Sequence, residues 1–174
     1  KRRGVVLEAG IPFTVNHKYT KALAAILPYS MTSAQRRVLG EIKQDLMSPH
    51  PMNRLVQGDV GCGKTIVMIC LMTLAIQSGC QVAVMAPTEL LADQHLRVLD
   101  KLLGPLGVKT VLLSQGVPQR DRAKVLETIA QGECDVVVGT HALVQDPVQF
   151  KALSLVVIDE QHKFGVEQRA RLTR

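Results

Sequence analysis

A glycine-rich stretch carries the clearest chemistry in this 174-residue chain. Residues 58–65 read Gly-Asp-Val-Gly-Cys-Gly-Lys-Thr and fit the pattern G-x-x-x-x-G-K-[ST] at every fixed position. Glycines allow backbone angles at which successive N–H groups point into one concavity, where a polyphosphate can bind. Lys64 would bring a positive charge to the outer phosphates, and the Thr65 hydroxyl would ligate a Mg²⁺ ion that keeps most of its waters. The alternative is a glycine-rich turn that merely ends in Lys-Thr.

An acidic pair later in the chain supplies the groups that such a site needs for hydrolysis. Asp159 and Glu160 directly follow the apolar run at residues 155–158. If that run is a buried strand, Asp159 would hold Mg²⁺ through its water shell and Glu160 would orient the attacking water. An acidic pair after a strand is also common in helix-capping turns. His162 is open to two interpretations as well, because a lone histidine near a strand end is often structural.

The spacing of apolar residues predicts the elements that position these groups. The runs expected to be strands are continuously apolar, which indicates burial on both faces and a parallel sheet covered by helices. In such sheets ligands bind beyond the carboxyl ends of the strands, where these motifs lie. The expected fold class is therefore α/β, with a mainly parallel central sheet and helices on both faces. Strands are predicted at residues 54–57, 81–86, 110–113, 135–138 and 155–158, and helices at 32–47, 64–78, 89–103, 119–131 and 166–173.

Composition narrows the class of protein. A hydrophobic content of 47% argues for a packed globule, and no apolar run has the length of a membrane span. No secretory signal is present, so a cytoplasmic location without membrane contact is expected. Lys and Arg number 21 against 15 Asp and Glu, a net charge of +6 that suits a polyanion such as nucleic acid. With three Phe, two Tyr and no Trp, contact would be made through the nucleic-acid backbone and not by base stacking.

The four cysteines show neither zinc-ligand spacing nor a disulfide framework. Cys62 differs from the others because it lies inside the glycine-rich loop, beside the amino end of a predicted helix and close to Lys64. Both neighbours favour a reactive thiol. Alkylation of Cys62 ahead of the other cysteines, with protection by ATP, is therefore one expectation. A small residue tolerated at a variable position of the motif is the alternative.

Four segments together stand in the order and spacing of the motifs of superfamily 2 helicases. Within that superfamily the chain resembles the first motor domain of the bacterial helicases that act on branched DNA. The resemblance implies a RecA-like P-loop NTPase domain at 32–174, with residues 1–31 as the linker from an upstream wedge domain. It also implies that the second motor domain is absent from this chain. The four segments are residues 58–65, 86–95, 138–143 and 159–169.

The resemblance implies ATP and Mg²⁺ as cofactors and assigns residues to them. Gln35 matches the position that reads the adenine edge, for which an amide can donate and accept together. Gln35 also fits the second half of a capping box begun by Thr32, and both interpretations stay open. Catalytic roles fall to Lys64, Asp159, Glu160 and His162, and metal binding to Thr65 and Asp159. The loop residues expected to bind the nucleotide are Gly58, Asp59, Val60, Gly61, Cys62, Gly63, Lys64 and Thr65.

Contacts to branched or forked DNA are implied at two strand ends. Thr88 and the turn Gly139-Thr140-His141 match the DNA-contacting motifs of these helicases. Hydroxyls and backbone N–H groups at such positions hold phosphates without reading bases, which suits a motor that moves over any sequence. Residues 86–89 fit equally well a plain helix start with an acidic first turn.

Three functions are compatible with these motifs. The leading one is the ATP-binding motor domain of a nucleoid-associated helicase that remodels stalled replication forks and branched recombination intermediates. The translocase of the transcription-repair coupling factor shares the motifs but pushes RNA polymerase. A nucleotide-dependent switch without hydrolysis is the third and is disfavoured by Glu160. Because the second motor domain of such enzymes supplies an arginine finger, the chain alone is expected to bind Mg·ATP or ADP weakly and to hydrolyse ATP very slowly.

Overall fold

The computed structural model describes residues 23, 25, 30–48, 50, 52–59, 61–145 and 148–159. Helices and strands alternate along the described chain, as the spacing of apolar residues predicts. Of the helices in these ranges, none is long and apolar enough to cross a membrane. The elements are α1 (Ser33–Leu46), α2 (Lys64–Gln77), β1 (Gln81–Met85), α3 (Glu89–Leu103), a 3-10 turn (Gly104–Leu106), β2 (Thr110–Leu113), α4 (Gln119–Gln131), β3 (Val136–Gly139), α5 (Ala142–Gln145) and β4 (Leu153–Ile158).

The four strands form one parallel sheet in the order β2-β3-β1-β4. Val82 of β1 lies opposite Val136 of β3, and Met85 lies opposite Ile158 of β4. Strands β2 and β3 are also parallel, so all four carboxyl ends lie along one edge of the sheet. The central strands β1 and β3 are buried throughout, whereas the outer strands are only partly buried. The predicted parallel sheet is confirmed, with burial on both faces limited to its centre.

Helices cover both faces of the sheet. Val136 and Val138 join a hydrophobic core built with α1, α2 and α3, while Val137 joins a second core that includes Ile129 of α4 and Leu143 of α5. Successive strand residues point to opposite faces, which is why neighbouring valines enter different cores. Ten of the 14 residues of α2 are buried. A helix that is apolar on all sides packs inside the molecule, so the loop before α2 is anchored to the core.

The predicted strand at residues 54–57 is wrong. Residues 52–59 carry no regular secondary structure, and Leu55 is 63% exposed. Arg54 instead bonds to Glu41 at 3.0 Å and to Asp45 at 2.7 Å on α1. Hydrogen bonding to Asp45 and then to Glu41 raises the pKa of the Arg54 guanidinium. Two apolar residues between polar neighbours do not provide a buried face, and a strand without a paired neighbour has no ladder bonds to stabilise it.

The other predicted helix and strand boundaries agree more closely with the structure. The predicted helices at 89–103 and 119–131 match α3 and α4 residue for residue, and β4 begins two residues earlier than expected. The short helix α5 and the 3-10 turn do not follow from the spacing of apolar residues. The predicted helix at 166–173 lies outside the described residues.

A buried glutamine ties the first strand to two loops. Gln81 begins β1 and is 4% exposed. Its Nε2 donates to the carbonyls of Ile129 at 3.0 Å and Cys134 at 3.1 Å. Its Oε1 accepts from the backbone N–H groups of Lys151 at 2.9 Å and Ala152 at 3.1 Å. One side chain thus satisfies four backbone groups near the end of α4 and before β4.

Replacing Gln81 with leucine should destabilise the domain. The substitution nearly preserves volume but removes the bonds from Gln81 to the Cys134 carbonyl and to the N–H groups of Lys151 and Ala152. The Ile129 carbonyl keeps its bond from the Gly132 N–H at 3.1 Å. Because an unsatisfied buried group costs about 1–3 kcal/mol, we expect the free energy of unfolding in urea to fall by roughly 2–5 kcal/mol. Gln44→Leu, on an exposed position of α1, is the matched control and should stay within about 0.5 kcal/mol. Equal effects of the two substitutions would contradict the role given to Gln81.

Candidate nucleotide and nucleic-acid site

The glycine-rich loop enters α2 with a backbone that only glycine adopts readily. Gly61 and Gly63 have φ angles of 83° and 81°, in the left-handed region. Gly63 is the N-cap of α2 and has no side chain to accept from the first N–H groups of the helix. Free N–H groups at a helix start, together with the helix dipole, attract phosphate. The local geometry therefore suits a phosphate loop.

Lys64 points back into this loop. Its Nζ donates to the carbonyl oxygens of Gly58 at 2.6 Å and Asp59 at 2.9 Å, and lies 3.8 Å from the sulfur of Cys62. A Cβ on Gly58 would lie 2.6 Å from that sulfur, so a side chain at this position would displace the Cys62 thiol. The ammonium is thus held at the concavity that the loop forms, where it would meet a bound phosphate.

Gln35 connects the start of α1 with the same loop. Its backbone N–H donates to Thr32 Oγ1 at 3.2 Å, and its side-chain Oε1 accepts from the Thr32 backbone N–H at 2.8 Å. This geometry confirms the capping box predicted for Thr32 and Gln35. Its Nε2 also donates to the carbonyl of Cys62 at 2.8 Å. Since an amide has two N–H donors and two acceptor lone pairs, one of each remains, and adenine contact stays a prediction.

Because of the contact from Gln35, two glycines of the loop should differ in how well they tolerate substitution. A Cβ on Gly63 would clash with Gln35 Nε2, whereas a Cβ on Gly61 would meet no described atom within 4 Å. Both substitutions carry the same left-handed penalty of about 1–2 kcal/mol. Because Gly63→Ala also displaces a hydrogen bond, we expect it to weaken nucleotide binding about tenfold more than Gly61→Ala does. Titration of the full-length protein with a fluorescent ADP measures this, and equal losses would be evidence against it.

Asp159 lies immediately after β4, at the carboxyl edge of the sheet. Its backbone N–H donates to the carbonyl of Met85 at 2.9 Å, next to the pairing of β1 with β4. Its Oδ2 lies 2.8 Å from Nε2 of His95 on α3, and the side chains are 37% and 15% exposed respectively. A carboxylate only accepts hydrogen bonds, so this histidine nitrogen carries the proton.

No role is predicted for His95 from the sequence, although its spacing from apolar residues of α3 indicates a position facing the core. Ala92 and Leu99 of α3 are fully buried, and His95 lies three residues after one and four before the other. These positions share one face of a helix, so His95 lies on the core-facing stripe. A polar side chain on such a stripe requires a hydrogen-bond partner, which here is Asp159.

The described donors fit a Mg²⁺ ion that arrives with phosphate. Thr65 is exposed at the second residue of α2, and Asp159 supplies a carboxylate. Within the part of the chain that the structure describes, no cluster of three or more His, Cys, Asp or Glu side chains could hold a metal unaided. Mg²⁺ usually keeps several waters and takes one or two protein ligands plus phosphate oxygens, as this donor set would allow. The predicted residues Val60, Glu160 and His162 lie outside the described residues.

The predicted DNA contacts lie at the carboxyl ends of β1 and β3. Thr88 is the N-cap of α3, and its Oγ1 accepts from the Leu91 N–H at 3.3 Å, which confirms the helix-start alternative. Gly139 ends β3, and a Cβ there would clash with the carbonyl of Leu113. Gly139 and Thr140 are both buried, Thr140 at 3% exposed, whereas His141 is half-buried, so His141 is the residue of this turn that a ligand would reach first.

The loop after β2 contacts residues that follow both of these strand ends. Glu89 Oε1 accepts from the Gly116 N–H at 2.7 Å, and Gln115 Nε2 lies 3.4 Å from Nε2 of His141. No local pattern predicts this bond of Glu89, because its partner lies 27 positions away along the chain. A cavity of about 530 Å³ opens beside this loop, lined by Gln115, Gly116, Val117, Pro118, Gln119, Arg122 and Ala142.

Exposure separates the four cysteines. Cys62 is exposed and Cys80 is half-buried, while Cys70 and Cys134 are buried and desolvation raises the pKa of both thiols. We expect limiting iodoacetamide to modify Cys62 first and Mg·ADP to protect it, because a bound phosphate would cover the loop. Peptide mass spectrometry with and without nucleotide measures this. Equal labelling of Cys62 under both conditions would contradict protection.

Comparison with known proteins agrees with these motifs. The family model described as DEAD/DEAH box helicase matches residues 32–174. The chain is 55% identical over 146 residues to the ATP-dependent DNA helicase RecG of Bacillus subtilis, and 47% identical over 160 residues to RecG of Synechocystis sp.. These alignments cover 84% and 92% of this chain but only 21% and 19% of the relatives. The chain therefore spans about a fifth of the length of these curated relatives.

A solved structure shows the same relationship. A structure of RecG bound to a three-way DNA junction matches this chain with a TM-score of 0.85 at 41% identity. The match covers 90% of this chain and 22% of that one. The α/β fold predicted from the sequence is thus also that of a solved helicase domain.

Proposed function

The chain belongs to the DEAD/DEAH box helicase family, and on that premise we propose that it is the first motor domain of an ATP-dependent DNA helicase. The full-length protein would remodel stalled replication forks and branched recombination intermediates. The observation that carries this proposal is a glycine-rich loop with Lys64 at the start of α2, together with a parallel sheet whose strand β4 is directly followed by Asp159. In α/β sheets this arrangement places ligands beyond the carboxyl ends of the strands.

Each predicted residue has a part in the nucleotide site of this proposal. The loop N–H groups and Lys64 would hold the phosphates, while the unused N–H and lone pair of Gln35 would read adenine. Thr65 and Asp159 would hold Mg²⁺, which when bound neutralises charge on the outer phosphates. Glu160 would orient the attacking water, and His162 would have a catalytic role as well.

The proposed DNA partner is a branched or forked duplex held by its backbone. RecG, the relative with a matching solved structure, is bound there to a three-way DNA junction. Thr88, Gly139, Thr140 and His141 would supply the contacts of this domain. A second motor domain and a wedge domain in the remainder of the full-length protein would complete the machine, and it would act in the cytoplasm at the bacterial nucleoid.

Two other functions are distinguishable from this one. The relatives at 55% and 47% identity are RecG helicases, which favours fork remodelling over the translocase of the transcription-repair coupling factor. A switch without hydrolysis would need no group to orient water, so Glu160 disfavours it.

ATP hydrolysis by the full-length protein tests the proposal directly. The rate is measured with no nucleic acid, with forked DNA, with linear duplex of equal length and with RNA. We expect forked DNA to stimulate hydrolysis most. Equal stimulation by linear duplex would favour the coupling-factor translocase, nucleotide binding without hydrolysis would favour a switch, and stimulation by RNA alone would overturn a DNA motor.

A further inference from the structure

Helix α3 touches both predicted ligand sites of this domain. Its N-cap is Thr88, one of the residues proposed to contact DNA, and His95 on the same helix bonds to the proposed magnesium ligand Asp159. Seven residues separate Thr88 from His95, or about 10 Å along the helix axis. One helix therefore connects the predicted DNA contact at Thr88 with the end of β4.

The inner face of α3 is packed into the core. Ala92, Leu99 and Leu103 on its inner face are fully buried in the core shared with α2 and the centre of the sheet. Packed interiors are dense and stiff, so a displacement at one end of a helix reaches the residues two turns away. His95 belongs to the same inner stripe and would move with it.

The bond between His95 and Asp159 restricts the carboxylate. Nε2 and Oδ2 are 2.8 Å apart, and the histidine side chain is only 15% exposed. A hydrogen bond to a charged acceptor is short and directional, so a shift of the ring acts directly on the orientation of the Asp159 carboxylate. That orientation decides where the other carboxylate oxygen points and how well it meets the water shell of a bound Mg²⁺ ion.

Resting on the function proposed above, we propose that His95 is the positioning residue through which DNA contact at the start of α3 changes the affinity for Mg·nucleotide at Asp159. DNA bound at Thr88 shifts α3, and His95 carries that shift to the carboxylate. By linkage, Mg·nucleotide then changes the affinity for DNA by the same factor.

Two amide substitutions test the bond between His95 and Asp159 apart from the packing around His95. In His95→Gln the amide nitrogen falls near the position of the ring Nε2 and can still donate to Asp159. In His95→Asn it falls near the position of Nδ1 and ends short of the carboxylate. Both variants keep a polar side chain on the inner stripe, so they differ mainly in this one bond. Arg97→Ala is the control, because it removes an exposed α3 ion pair with Asp93 at 2.6 Å that faces away from the site.

The experiment uses the full-length protein with forked DNA and a non-hydrolysable Mg·ATP analogue. The dissociation constant of the analogue is measured with and without DNA, and the Mg²⁺ concentration that gives half-maximal ATP hydrolysis is measured in parallel. In the unsubstituted protein, DNA should change the dissociation constant by a factor in the range of about 5–150. His95→Gln and Arg97→Ala should keep that factor.

His95→Asn should bring the factor to within about twofold of unity, and should raise the half-maximal Mg²⁺ concentration by about 10–100-fold. DNA affinity without nucleotide should not change. His95→Ala, which also lacks the bond, is measured beside it with a thermal melt of each variant, so that loss of folded protein in one variant does not decide the result.

The outcomes separate this inference from the proposed function. An asparagine or alanine variant that keeps the full effect of DNA overturns the role of His95 while the proposed function stands. If the His95→Gln variant loses the effect of DNA as completely as the His95→Asn variant, the role of His95 is also overturned and the proposed function stands. If DNA changes nothing in the unsubstituted protein and fails to stimulate hydrolysis, both the inference and the proposed function are overturned.

Discussion

The 174-residue chain by itself is expected to hydrolyse ATP about 10³–10⁵ times more slowly than the full-length protein. The resemblance to superfamily 2 helicases implies that a second motor domain places an arginine finger across the ATP. The described residues form one parallel sheet, and the chain spans about a fifth of its curated relatives. Loss of the finger removes positive charge from the phosphoryl group in the transition state, which lowers kcat more than it lowers nucleotide affinity.

Steady-state hydrolysis with saturating Mg·ATP measures the ratio of the two rates. The chain carrying Lys64→Ala gives the background from contaminating ATPases. Circular dichroism first establishes that the isolated chain is folded at the assay temperature. A rate for the isolated chain within tenfold of the full-length protein would show that the described domain completes the catalytic site alone.

Lys64→Ala in the full-length protein should lower kcat for ATP by about 10²–10³, the usual effect of removing one donor aimed at developing charge. The Nζ atom already lies within 2.6–2.9 Å of two loop carbonyls, so it is positioned at the concavity before nucleotide arrives. The substitution also removes these two bonds and loosens the loop. Lys64→Arg should not restore the rate, because a planar guanidinium does not replace a compact ammonium in a tight loop.

The control for Lys64 is Lys101→Ala, in the last turn of α3, which removes the same charge from an exposed position. Its kcat should remain within about twofold of the unsubstituted protein, since surface substitutions usually change free energies by less than about 0.5 kcal/mol. Binding of forked DNA without nucleotide should be equal in both variants. If the Lys64→Ala protein retains more than a third of the kcat, Lys64 is not part of the catalytic site.

Several structural features follow from the sequence because they depend on local patterns. Helix α3 begins at a threonine cap and α4 ends at Gly132 in the left-handed region, so their predicted limits agree with the structure. The continuously apolar residues of β1 and β3 predict buried parallel strands, because both faces of each strand are then apolar. The strand predicted at 54–57 fails because a short apolar run becomes a strand only when a neighbour pairs with it.

The sequence by itself determined the glycine-rich pattern of the loop at 58–65, the acidic residue that follows β4 and the capping box of Thr32 and Gln35. Only the tertiary structure decided what those residues contact. Gln35 reaches Cys62 across 27 positions, Gln81 satisfies backbone groups 48 to 71 positions away, and His95 meets Asp159 across 64. Motifs and caps are set by neighbours along the chain, whereas these bonds arise from how the helices pack on the sheet.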